Sequence, residues 1–89
     1  MRAIVTVIGK DAVGIIAGVC GLLAKEQVNI LDISQTVMQE YFTMIMLVDT
    51  GRCSLPFGEL AEALRTWGET MGLSVRIQHE DIFNAMHRI

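Results

Sequence analysis

Two alternating runs, residues 30–38 and 41–49, are separated by only Gln39 and Glu40. A two-residue link leaves no room for a crossover, so the runs must pair as an antiparallel hairpin. In the first run Leu31, Ile33, Gln35 and Val37 alternate with Asp32, Ser34, Thr36 and Met38, giving one mainly apolar and one mainly polar face. In the second, Phe42, Met44, Met46 and Val48 alternate with Thr43, Ile45 and Leu47, so both faces are apolar and a central strand is expected. The rest of the chain must complete a sheet around this hairpin and cover it.

Upstream, residues 3–8 are β-branched in five of six positions and read as a first strand with both faces substantially covered. Residues 14–26 follow with helical spacing: Ile16, Val19, Cys20 and Leu23 form a large face expected on the sheet, and Gly14, Ala17, Gly18 and Gly21 form a small one. The small face either admits another element closely or lies thinly against solvent. Downstream, Ser54 and Pro56 signal a second helix, whose apolar face is Phe57, Leu60, Ala61, Leu64, Trp67 and Met71, with Gly72 to end it. Leu73, Val75 and Ile77 alternate with polar residues in a fourth strand, and residues 81–89 place Ile82, Phe83, Met86 and Ile89 at helical spacing. The order β-α-β-β-α-β predicts an α+β, ferredoxin-like sandwich: a four-stranded antiparallel sheet, two helices on one face, and a short C-terminal helical tail over 81–89. Residues 1–89 read as one domain.

With 89 residues and a hydrophobic fraction of 52%, the chain has more apolar side chains than so small a core consumes, which points to a homodimer. A net charge of −3 with scattered Lys and Arg argues against nucleic acid or an anionic membrane as partner. The first strand also lacks the stacking aromatics of an RNA-binding sheet. Two cysteines, Cys20 and Cys53, supply neither a disulfide framework nor four iron–sulfur ligands. With no signal peptide and no apolar run of membrane-spanning length, a cytoplasmic location is expected.

Chemistry is sparse. Gly9 to Gly14 has the glycine spacing of a phosphate-binding loop, but Ile15 and Ile16 stand where Lys and Ser/Thr are required. Cys20 with His79 or His87 makes a poor nucleophile–base pair because Cys20 belongs to an apolar helix face, and Cys53, His79 and His87 have no metal-ligand spacing. The chain therefore reads as a binding protein rather than an enzyme, with no cofactor. The best candidate site is the loop Asp11-Ala12-Val13-Gly14-Ile15, where a helix start offers unpaired N–H groups to an anion. Asp11 is either a ligand contact or an ordinary helix cap.

The loop Gly9-Lys10-Asp11-Ala12-Val13-Gly14-Ile15, followed by Val28-Asn29-Ile30-Leu31-Asp32-Ile33, resembles the ACT domain. Asp11, Gly14, Ile15, Asn29 and Ile30 match its Asp-x-x-Gly turn, the aliphatic residue after it, and the Asn-Ile that opens the second strand. The length and the ending Asp81-Ile82-Phe83-Asn84-Ala85-Met86-His87-Arg88-Ile89 look like the small stand-alone ACT proteins grouped as UPF0237. This resemblance implies a regulatory module, often dimeric, holding a small effector such as an amino acid between the first loop and the second strand of paired domains. The loop N–H groups would then meet a carboxylate, and Asp11 or Asn29 an ammonium. With no enzyme attached, it also implies either sensing on behalf of a separate enzyme partner or loss of the ligand function. An alternative function is a protein-interaction subunit, docking through the tail or the second sheet face without a small ligand.

Overall fold

The computed structural model describes residues 1–82. The chain runs β1 (Arg2–Lys10), α1 (Ile15–Lys25), β2 (Asn29–Met38), β3 (Tyr41–Asp49), α2 (Phe57–Thr70) and β4 (Leu73–His79), the expected order. All neighbouring strands are antiparallel and lie in the order β2-β3-β1-β4, so β3 is central as its two apolar faces require. Gln39 turns the hairpin with a φ of 56°, and Gly72 ends the second helical segment with a φ of 70°. Residues 80–82 are helical; the remainder of the expected terminal helix, 83–89, lies outside the described residues.

The core follows from strand alternation. Val5 and Val7 stand beside Met46 and Met44 on one side and Ile77 and Val75 on the other, so these side chains share the face that the helices cover. Val19 and Leu23 of α1 and Leu60 and Leu64 of α2 close over them, all fully buried. The opposite sheet face has no cover among the described residues, so the shielding expected on both faces of the first strand is not supplied by them.

Three local expectations are corrected. First, α1 begins at Ile15, with Gly14 as its cap, and its buried stripe is Ile15, Val19 and Leu23. Ile16 is exposed, because Ile15, four residues before Val19 and eight before Leu23, is the residue that continues their row toward the sheet. Second, Gly9 and Lys10 belong to β1 rather than to the loop; Gly9 pairs with Phe42 and Leu73, and a Cβ there would sit 2.5 Å from the Leu73 side chain. Third, β2 carries an irregularity between Ile30 and Asp32, so Leu31 falls out of the alternation with Ile33 and Val37. Ser54, before Pro56 at the start of α2, is bonded across the chain: its N–H donates to the Glu26 carbonyl at 3.0 Å and its hydroxyl to the Glu26 carboxylate at 2.7 Å.

The small face of α1 divides. Gly18 lies against the Trp67 indole of α2, whereas a Cβ on Gly21 would meet nothing within 4 Å. Gly68 of α2 is likewise pressed on Val75 and Leu73 of β4. Glycines therefore set how closely α2 approaches both α1 and the sheet.

Candidate functional site

At the end of β1 the Asp11 N–H donates to the Glu40 carbonyl at 2.7 Å, tying the first loop to the β2–β3 turn. Gly14 then adopts a left-handed conformation, φ 91° and ψ 1°, and its carbonyl accepts from Gly18 N–H at 2.8 Å to open α1. No side chain caps this helix and no acid lies in its first turn. Asp11 is thus no N-cap, and the first-turn N–H groups remain directed off the helix end with its positive dipole. Asp11, Ala12 and Val13 are all exposed, Val13 fully at 100%. The space beside Gly14 is open. Such a loop can accept a carboxylate or phosphate through backbone groups alone.

Asn29 and Ile30 do not join it. Asn29 pairs with Asp49 and opens β2 at the end of the sheet where Arg2 begins β1, whereas Asp11 follows Lys10 at the other end. An 11-residue α1 and a nine-residue β1 separate them, roughly 16 Å and roughly 30 Å of rise. Around Asn29 lies a cleft of about 670 Å³ shared with Gln27, Asp49 and Arg52. Gln27 turns the chain out of α1 with a φ of 65°. Here the Asp49 carboxylate accepts from Gly51 N–H at 2.8 Å and from the Met1 ammonium at 3.1 Å. The backbone hydrogen bond first, and then the ammonium, hold its pKa below the usual carboxylate value.

A folded pKa below the unfolded one means stability that is present above the unfolded value, about 3.9, and lost as pH falls through the folded value. Asp49→Asn should therefore weaken the protein at neutral pH but flatten its loss of stability below about pH 4, measured by urea unfolding across that range. Parallel curves for the two proteins would deny Asp49 this role.

The remaining reactive groups are dispersed. Cys20 packs partly buried against the core, and burial pushes its thiol pKa up, away from nucleophilic thiolate. His79 stacks on Phe57 with ring centroids 3.9 Å apart, and its buried Nδ1 has no hydrogen-bond partner among the described residues. It shares a cavity of about 170 Å³ with Cys53, Thr50 and Leu55. Nothing in the spacing of Cys53 and His79 announces this meeting, which arises only because β4 ends beside the β3–α2 loop. His87 lies outside the described residues. Among the described residues, no group of three His, Cys, Asp or Glu is arranged to hold a metal, and no helix is long and apolar enough to cross a membrane.

The family model described as ACT domain matches residues 2–78. The chain belongs to the ACT domain family. A UPF0237 protein of Clostridium acetobutylicum is 56% identical over 89 residues, covering 100% of both chains. Among solved structures, an ACT domain protein from Streptococcus pneumoniae superposes with a TM-score of 0.82 at 45% identity, covering 98% of each chain. The regulatory subunit of aspartate kinase from Thermus thermophilus gives a TM-score of 0.66 at 25% identity, covering 86% of this chain and 50% of that one. This ACT chain thus shares its βαββαβ fold with the Streptococcus pneumoniae protein.

Proposed function

We propose that this ACT protein is a regulatory module that binds an amino acid or similar small effector between two copies of itself. The observation that carries this reading is the placement of the first loop and Asn29–Ile30 at opposite ends of one sheet. One chain cannot close a site from both, but two chains joined edge to edge can. An antiparallel pairing of β2 with β2 of a second copy lays the Asn29 end of one strand beside the Met38 end of the other. That end adjoins Glu40, to which Asp11 is bonded, so each loop faces the partner's strand start.

The edge itself favours such pairing. β2 is ten residues long, with Ile33 40% and Val37 53% exposed and no Lys or Pro to block another strand. The other edge, β4, presents Ser74, Arg76 and Gln78 instead. A carboxylate would lie on the uncapped N–H groups of residues 15–17, and Asp11 or the second copy's Asn29 would take the ammonium. The aspartate kinase regulatory subunit among the structural neighbours supports a regulatory role.

Titration calorimetry against the standard amino acids tests the reading: saturable heat is expected for one or a few. A flat response across the panel from an intact dimer would overturn it. Ile33→Lys sets like charges together at the pairing edge, so light scattering should find a folded protein of half the mass and the heat should vanish. A variant of unchanged mass would remove β2 from the interface.

A further inference from the structure

The cleft beside Asn29, about 670 Å³, is of the size of a small-molecule site and leaves room for a side chain next to an amino acid's backbone. Its walls come from two segments. Gln27 and Asn29 lead from the end of α1 into β2, and Gly51 and Arg52 follow β3. Ser54 fastens the second segment to the first, through its N–H on the Glu26 carbonyl and its hydroxyl on the Glu26 carboxylate. The backbone at Arg52 is thereby kept beside Gln27 and Asn29. Asp49, the acid of this cleft, is already engaged by the Gly51 N–H and the Met1 ammonium. Arg52 is not: the side chains of Arg52, Gln27 and Asn29 have no hydrogen-bond or ion-pair partner among the described residues. An unpaired guanidinium flanked by two unpaired amides is a donor set suited to a carboxylate.

We infer that the effector's side chain enters this cleft and ends in an acid, so that the ligand class is a dicarboxylic amino acid; this rests on the effector site proposed above. The first loop of one copy holds the α-carboxylate, Asn29 of the other takes the ammonium, and Arg52 of that same copy receives the side-chain carboxylate. Competing side chains fit this cleft worse. A basic one sets like charges together, and an apolar one takes the guanidinium out of water without giving it a partner. A neutral amide keeps hydrogen bonds to Arg52 but forfeits the charge.

Titration calorimetry of the full chain against glutamate, aspartate and their amides, glutamine and asparagine, tests the assignment. One of the acids is expected to bind roughly tenfold or more tightly than its amide, with the margin narrowing as salt is raised. Arg52→Gln should erase that margin while binding stays sensitive to Gly14→Val, and Arg52→Lys should recover most of it by keeping the charge. Arg52 is exposed, so circular dichroism of both variants should match the native spectrum. Equal affinities for acid and amide, saturable heat confined to apolar amino acids, or a margin that survives Arg52→Gln would overturn this inference and leave the effector reading standing. Silence across the whole amino-acid panel would overturn both.

Discussion

Gly18→Ala is expected to destabilise this protein by roughly 2–3 kcal/mol, equivalent to a melting temperature about 10–20 °C lower in a domain of this size. The added Cβ would fall within the van der Waals envelope of the Trp67 ring, 2.9 Å from its Cε2 and closer still to Cζ2. An indole wedged between two helices cannot swing aside as a lysine tip can, so the helices must separate. Gly21→Ala is the internal control. It lies in the same helix with open space around it, and there alanine should stabilise by about 0.5–1 kcal/mol through helix propensity alone. Thermal unfolding of the two variants side by side decides the matter. Equal shifts of the same sign would show that Gly18 is not a contact glycine, while relief of the Gly18→Ala defect by Trp67→Ala would identify the indole as the obstacle.

Gly14→Val should abolish effector binding while leaving the fold intact. A β-branched residue at φ 91° costs about 1–2 kcal/mol in backbone strain, and relaxing that strain reorients the N–H groups of the first turn. No side chain within 4 Å would clash with it, so the change should be tolerated in the core and felt at the loop. Gly14→Asn separates strain from obstruction, since asparagine accepts the left-handed region at little cost. It should keep near-native stability yet still lose binding, because its side chain rises into the space the ligand needs. Calorimetry against the effector and circular dichroism read the two effects independently. Unchanged affinity in both variants would place the ligand elsewhere.

Much of the architecture was legible because period and turn chemistry are local. The Gln39-Glu40 link allowed only a hairpin, Gly72 stopped the second helix in a left-handed conformation, and the apolar character of both faces of 41–49 required a central strand. Errors arose where one residue decides a phase. The stripe of α1 was right at Val19 and Leu23 but wrong at its first turn, where Ile15, four residues before Val19, is buried and Ile16 is not. Leu31 counted as part of an alternation that a bulge interrupts. The role of Gly18 was visible only as a choice between contact and solvent, because Trp67 is nearly fifty positions away and periodicity carries no information about which helices meet.

The candidate site divides in the same way. Asp11 to Ile15 reads as a candidate anion-receptive helix start from its place between a strand and an apolar helix, and the structure puts Gly14, with no side-chain cap, at the start of α1. The distance of Asn29–Ile30 from it follows from the helix between them, since a helix of 11 residues carries the chain back across the sheet. By itself, then, the sequence determined the element order and the sheet topology, because these depend on backbone preferences and on alternation over a few residues. Tertiary structure alone decided which glycine admits an indole, that Cys53 and His79 share a cavity, and that β2 is left as an apolar edge while the described residues leave one sheet face uncovered. Those are outcomes of packing between distant segments, and their physical origin lies in which surfaces the two helices are large enough to cover.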